Sequence, residues 1–550
     1  MEFLRSKKHI ILACVAFIMM AILTLSLLSS HMLEPKSDGL YSGGSTWGDS
    51  AWHMSIISSI NERGLSATLS NNPIYAGLSM SYPFLPDMLS SLLMNIGLSL
   101  RSSLLWPAFF VTMIALSLMY FVTLKMTKSH NGALLVPILF VFNGTFWSIK
   151  YFTRDLIDSG KSLGGFLQAM PLNYAHLAEV ANIRFSNVMS DYILPQRSFV
   201  FGLAIGLVAV YFLWRYWQDK KEKDLLYTSL TLSAMPLVHT HSFLALGMVS
   251  FFLFCGEIIV FVKEKNRQGI ITVLKRWSIY FGLPIILLAL PQFLLIFPFD
   301  KESFIRFQIG WAHGDENILY FWIKNLFPYL FVFAFAYRFA PLKIRTFYNA
   351  FLGVFIVTNI ILFQPHIYDN MKFMLWWFIL SLILTVIFFK KLIEKWSWKG
   401  RVVVAIMIFT MTFIGAVSVY RETRLSDRLF SNDDLIISDF VRNNTDPASV
   451  FLTSTKHNNP ITCLSGRAVM IGYMGWLWTH GINYGDRFDE MKKIFSGKDD
   501  GTLVTKYKID YILLDNKAVE EYDADQEYLD KTYKKIYSDD SYMLYKINND

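Results

Sequence analysis

Hydrophobic positions in this chain gather into long uninterrupted runs, with few of the two-residue or three-to-four-residue rhythms of a soluble protein. Apolar stretches long enough to cross a hydrocarbon core of about 30 Å begin near residues 9, 104, 132, 198, 225, 241, 277, 318, 346, 371 and 402, and they predict about eleven transmembrane helices. Polar stretches between them are short, except over 30–100 and 148–197. After Tyr420 hydropathy falls and charge rises, which predicts a membrane-spanning part over 1–420 followed by a small soluble α/β domain over 421–550. In that domain the pattern predicts helices over 433–442 and 486–495 and strands at SVFLTST and AVMIGY. LVTKYKIDYILLDN reads as helix into strand, and KKIYSDDSYMLYKI as a closing hairpin.

The first apolar run follows Arg5, Lys7 and Lys8. It is too long for a removable signal peptide and has no small-residue cleavage site, so it is expected to stay as a helix with its N-terminus in the cytoplasm. From that start every second loop is basic: Lys125 and Lys128, then WRYWQDKKEK, then KEKNRQ with Lys275 and Arg276, then Arg338 to Arg345, then KKLIEKWSWKGR. Cytoplasmic loops carry this bias. The expected location is therefore a multi-pass protein of the plasma (inner) membrane, with 30–100, 148–197 and the C-terminal domain outside.

Composition agrees, since 53% of the residues are hydrophobic and 16% aromatic, with a mean hydropathy of +0.37. A net charge of +8 would suit nucleic acid, but the basic residues are used for topology and anionic headgroups, so no nucleic-acid partner is expected. Of the cysteines, Cys14 and Cys255 lie in apolar runs and Cys463 in the tail, so no disulfide within one domain is expected.

Long outer loops are where function concentrates. In the first, GGSTWGDSAWHMS carries Asp49 and His53, four apart and hence on one face of a helix starting at Ser50. A carboxylate there can take a proton from an acceptor hydroxyl while the imidazole orients the hydroxyl or contacts a phosphate. The plainer reading makes Asp49 a helix N-cap. Trp52, Ile56 and Ile60 recur at helical spacing, PDMLSSLLMNIGLSL follows the SYPFLP turn, and both segments read as helices lying on the membrane surface, apolar face down.

PLVHTHSFLALG sets His239 and His241 at the outer end of a span, where imidazoles are costly unless they face a cavity or a partner. They are candidates for holding a phosphate oxygen, and the plainer reading has them capping helix ends. Alternation by two in an extended segment would place them on opposite sides, against a shared metal. FQPHIYDNMKFM puts Lys372 on the outer side against the charge bias, and LPQRS does the same for Arg197. An anionic lipid phosphate suits both, and so does snorkelling to headgroups. In the tail, SGRAVMIGYMGWLWTHGINYGDR is dense in glycine and aromatics. Arg467, Tyr473 and Trp476 there, with Tyr82 of the SYPFLP turn, are candidates for acceptor or sugar contact, although Trp476 and Trp478 also suit simple docking of the domain.

On WGDSAWHMS, SYPFLPDML, LPQRS, PLVHTHSF and SGRAVMIGYMGW, and on the layout of the whole chain, the protein resembles the GT-C superfamily of integral membrane glycosyltransferases. That superfamily contains protein mannosyltransferases, oligosaccharyltransferase catalytic subunits and aminoarabinose transferases. The resemblance implies transfer of a hexosyl or pentosyl group from a polyprenyl-phosphate-linked donor to a glycan, lipid or protein acceptor on the extracytoplasmic face, with inversion. It assigns the acceptor-activating role to Asp49. Many members carry paired acids as DxD or adjacent DE, whereas Asp49 stands apart from Asp38, Glu62 and Asp87. A divalent metal is therefore not supported by a motif, although Asp155 or Asp158 of the second outer loop is available as a further ligand.

Two other readings fit an apolar chain of this kind: a transporter or flippase of lipid-linked glycans, and a noncatalytic envelope scaffold. The transporter reading lacks midspan charges and paired interrupted helices. An O-antigen polymerase or ligase is nearer in chemistry but does not account for the acid in the first loop.

Overall fold

The computed structural model describes residues 2–297 and 305–547, and the side chains of residues 2–8, with Arg5, Lys7 and Lys8 among them, lie outside the described ones. The chain is mostly helical and divides into two compact units. Met1–Leu28 and Ala108–Leu425 make one, and Ser29–Pro107 and Ser426–Asp550 make the other. The division differs from a single boundary at residue 420. The first outer loop, grouped by hydropathy with the membrane part, has its contacts with the tail instead.

In the first unit, six helices among the described residues are long and apolar enough to cross a membrane: His9–His31, whose last residues belong to the second unit, Leu100–Thr127, Arg197–Asp219, Thr240–Lys263, Arg267–Ile296 and Ile367–Glu422. Two bent pairs, His130–Val141 with Phe146–Asp158 and Ile318–Asn325 with Tyr329–Phe339, raise the number to eight if each is one span. The expected eleven differs for identifiable reasons. The runs from 371 and 402 form two helical stretches that meet at a kink at Ser397 (φ 49°) within Met371–Glu422. Those from 225 and 346 form Glu222–Ser233 and Leu342–Thr358, of 12 and 17 residues, short of a full span.

The core of this unit is aromatic. Trp376 and Trp377 are each buried to within 2%, and the Trp377 indole N–H donates to the Tyr348 hydroxyl at 2.7 Å. Gly415 allows the long helix to touch the bend after Val141: a Cβ there would lie 2.0 Å from the Phe142 carbonyl oxygen.

The second unit contains a five-stranded mixed sheet in the order Ala468–Val469, Val450–Leu452, Tyr511–Asp515, Tyr542–Lys546, Lys534–Ser538. The first three strands are parallel and the last two close as an antiparallel hairpin. Helices Asn432–Asn444, Gly485–Phe495 and Thr502–Tyr507 fall where periodicity predicts them. Ser431 and Asp434 form a capping box at the start of the first of these. A second sheet sets the hairpin Glu34–Lys36 and Gly39–Ser42 against Asp427–Ser431. It knits the first outer loop to the tail.

Candidate active site

The helix carrying Asp49 runs from Gly44 to Arg63, so it begins five residues before Asp49 and its N-cap is Gly43. Asp49 is therefore an interior, half-buried helix residue rather than the cap. The expectation of a membrane-surface helix also fails. Every residue from Ser50 to Ile60 is buried, and three of its serines bury with partners of their own. Ser55 donates to the Trp52 carbonyl, Ser58 to the Cys463 carbonyl, and Ser59 bonds Thr68. The helix Leu85–Asn95 buries Pro86, Asp87, Ser90 and Ser91 and leaves Leu89 and Leu92 exposed, an apolar outer face.

The Asp49 helix is held on the tail segment 463–467. Gly466, at φ 67°, lets the Ser58 carbonyl approach to where a Cβ would be 2.4 Å away, a conformation glycine adopts without steric cost. Burial pushes the Cys463 thiol up to about 12, and its Sγ lies 3.3 Å from the Ala51 carbonyl. Arg467 is 1% exposed and spends its N–H groups internally. They reach Glu62 at 3.3 Å, the carbonyls of Arg442, Thr445 and Ser465, and the Thr445 hydroxyl. All five donors are used, so Arg467 has none left for a sugar, and it serves to fix the helix.

One turn after Asp49, His53 directs Nδ1–H at the Asp87 carboxylate, 3.0 and 3.1 Å from its two oxygens, with the two side chains 4% and 0% exposed. The carboxylate sets the tautomer, leaving the imidazole Nε2 as an acceptor. Around this pair the aromatic candidates gather. Tyr82 lies 6.0 Å from His53 and 5.2 Å from Trp52, ring to ring. Trp52 in turn lies 5.7 Å from Trp476 and 4.8 Å from His480. Trp476 meets Tyr473 at 5.3 Å, and Tyr473 meets His457 at 5.8 Å. Thus Asp49, His53, Tyr82, Tyr473 and Trp476 share one unit, and the last four lie on a continuous row of rings.

In the membrane unit, His239 caps the helix Thr240–Lys263 through Nδ1, which accepts from the Ser242 backbone N–H. His241 lies in the first turn of that helix, and the two rings stack at 5.1 Å and 25°. The expectation of opposite sides is corrected: His239, the N-cap, is extended at φ −158° and ψ 95°, and positions two apart share a face in extended backbone. Gln364 bonds His241, and the Trp376 indole N–H donates to Ser242 at 3.1 Å. Lys372 is 14% exposed and pairs with Asp369 at 3.0 Å, which is the local reason for a cation on that side, and His366 adds a 3.5 Å contact to the same carboxylate. Arg197 opens its helix, 3% exposed, over the Phe201 ring at 5.9 Å.

No protein-family model and no curated protein matches the chain by sequence. Solved structures match it by fold. The oligosaccharyltransferase of Archaeoglobus fulgidus, tethered with an acceptor peptide containing the NVT sequon, aligns with a TM-score of 0.52 at 11% identity, over 97% of this chain and 74% of that one. The archaeal oligosaccharyltransferase AglB from Archaeoglobus fulgidus, in complex with an inhibitory peptide and a dolichol-phosphate, aligns at 0.52 and 11% over 98% and 74%. ArnT from Cupriavidus metallidurans, bound to undecaprenyl phosphate, aligns at 0.50 and 9%, over 97% of both chains. These are GT-C membrane glycosyltransferases.

The chain has the GT-C fold.

No group of three or more His, Cys, Asp or Glu residues suited to a metal ion occurs among the described residues, and Asp87 is taken up by His53. No step is derived through a metal. Asp155 accepts from the Tyr174 hydroxyl at 2.8 Å and pairs with Arg154, so it has structural work of its own.

Two residues of the two clusters carried no sequence signal strong enough to single them out. Asp87 follows a proline turn 34 positions after His53. Gln364 sits among ordinary loop residues, whereas His480 lies in the glycine- and aromatic-rich tail run. Only packing brings each to its partner.

Proposed function

We propose that this protein is a membrane glycosyltransferase that takes a sugar from a polyprenyl-phosphate-linked donor and places it on an acceptor hydroxyl or amide at the extracytoplasmic face, with inversion at the anomeric carbon. The observation that carries the reading is a half-buried carboxylate, Asp49, one helical turn from the buried His53–Asp87 pair and the aromatic row, in a chain with the GT-C fold. Support for the donor class comes from what the similar structures hold, undecaprenyl phosphate in ArnT and a dolichol-phosphate in AglB.

In this reading Asp49 accepts the acceptor's proton as its oxygen or nitrogen attacks the anomeric carbon. The bond from that carbon to the phosphate oxygen breaks, and polyprenyl phosphate leaves with the electron pair. His239, His241, Lys372 and Arg197 are assigned to the donor phosphate, whose charge the Lys372 ammonium and the Arg197 guanidinium offset. His53 is a positioning residue, held by Asp87. Tyr82, Tyr473 and Trp476 offer ring faces on which a pyranose stacks.

The test is release of polyprenyl phosphate from a panel of polyprenyl-phosphate sugars by purified protein in nanodiscs, with native membrane extract as acceptor source. Release by wild type but not by Asp49→Asn, with equal folding by circular dichroism, is expected. Equal release by both would remove Asp49 from the chemistry, and no release with any donor would overturn the transferase reading.

A further inference from the structure

A cavity of about 500 Å³ lies within the second unit, lined by residues of both its segments. That is the size of a small-ligand site. Three cations line it, Arg428, Lys456 and Lys517, against one carboxylate, Asp434. Asp434 is already committed: its oxygens accept from the Ser431 backbone N–H at 2.6 Å and from the Tyr542 hydroxyl. The acids that pair with the cations, Asp38, Asp515 and Glu521, stand outside the lining. The cavity thus presents three cationic side chains, each also paired with an acid, beside one committed carboxylate.

One side of the same cavity is aromatic. Trp47, His457 and Tyr473 line it, with Trp47 and His457 4.1 Å apart ring to ring. Trp47 is fixed, because its indole N–H donates to the Arg428 carbonyl at 3.1 Å. Tyr473 and His457 are also the far end of the row that runs through Trp476 and Trp52 to Tyr82. Trp52 in that row is 4% exposed, so the ring faces open to a saccharide are those lining the cavity, Trp47, His457 and Tyr473.

We infer that this cavity binds the anionic end of an acidic oligosaccharide, a sugar bearing a carboxylate or a phosphate, and that it is the subsite holding the acceptor of the transfer. Binding an acidic saccharide follows from the cations and ring faces alone, whereas its identity as the acceptor rests on the transferase reading above. A neutral glycan leaves the cationic wall unused, and an ion without a ring leaves the aromatic side unused.

Calorimetry on the full-length protein in neutral-lipid nanodiscs tests this with four probes: trigalacturonate, glucose 6-phosphate, maltotriose and inorganic phosphate. Trigalacturonate or glucose 6-phosphate is expected to bind at least tenfold more tightly than maltotriose and than inorganic phosphate, and to weaken with salt. Which of the two binds identifies the carboxylate or the phosphate as the group recognised. Lys456→Gln/Lys517→Gln is expected to lose at least tenfold. Because Lys456 pairs with Asp515 at 2.8 Å, Lys517→Gln alone, whose partner is 3.7 Å away, gives a second variant that spares that contact and is expected to lose at least threefold.

Binding of maltotriose as tight as the acids, of phosphate as tight as the sugars, or of no probe would overturn the inference. So would unchanged affinity in a folded Lys517→Gln variant. Asp49→Asn separates the two readings. Acidic saccharide bound by both proteins with no polyprenyl phosphate released by either leaves the cavity a saccharide site and removes its acceptor role. Release by wild type without saccharide binding removes the cavity alone.

Discussion

His53 and Asp87 form a buried hydrogen bond, Nδ1 to carboxylate at 3.0 Å, although 34 residues separate them. The pair joins the helix Gly44–Arg63 to the helix Leu85–Asn95. Asp87→Ala leaves the Nδ1–H without this acceptor in a site sealed from water, which costs about 1–3 kcal/mol. It is expected to lower the unfolding midpoint of the detergent-solubilised protein and to reduce transfer by 10- to 100-fold, the range for loss of an orienting partner. Asp87→Asn keeps an acceptor oxygen and is expected to lose less on both measures. Full activity in a folded Asp87→Ala protein would show that the imidazole's orientation does not matter.

Arg467 gives the opposite kind of prediction, because its donors are all spent within the unit. Arg467→Met leaves the carbonyls of Arg442, Thr445 and Ser465 without their donor and is expected to destabilise the unit by about 1–3 kcal/mol, read by urea unfolding and by faster proteolysis of the tail. Where the variant stays folded at low temperature, its KM for acceptor should match wild type. A raised KM with unchanged stability would return Arg467 to the sugar.

Burial holds the His457 imidazole below its usual range, and the Lys517 ammonium pushes in the same direction. The folded state therefore binds fewer protons than the unfolded state just below pH 6.5, so stability rises with pH there and is lost as pH falls through about 6.5. Thermal unfolding between pH 7 and pH 5 is expected to be less pH-dependent in His457→Gln than in wild type. An identical pH slope in the two proteins would assign the dependence to other groups.

Lys372 separates donor from acceptor. If its ammonium, 14% exposed beside Asp369, serves the donor phosphate, Lys372→Met is expected to raise the KM for polyprenyl-phosphate sugar at least tenfold and leave the KM for acceptor unchanged. Equal shifts in both would mean that the residue acts on structure.

Much of the fold was legible because membrane spans and short α/β elements have strong periodic signatures. The helix Asn432–Asn444 announces itself by Ser431 and Asp434, three apart at a helix start. The first outer loop was misread for a physical reason. Trp52, Ile56 and Ile60 make a stripe that suits a lipid surface, but the polar residues between them are His53, Ser55, Ser58 and Ser59, with no lysine or glutamate. Serine buries readily by bonding a nearby carbonyl, as Ser55 and Ser58 do. Of the site, Asp49 and His53 were visible by spacing, since one helix holds both. Asp87 and the cationic cavity were not, since each depends on segments brought together from distant parts of the chain.

That the second unit is built from Ser29–Pro107 and Ser426–Asp550 has a consequence for biosynthesis. The strand Gly39–Ser42 emerges early, but its partner Asp427–Ser431 is made only after residues 108–425. At roughly 5–20 residues per second, the Asp49 helix waits on the order of half a minute for the segment that seats it. Throughout that interval a strand edge and a serine-rich helix are held open, so the ribosome, and not the native contact alone, determines when the proposed catalytic carboxylate first acquires its surroundings.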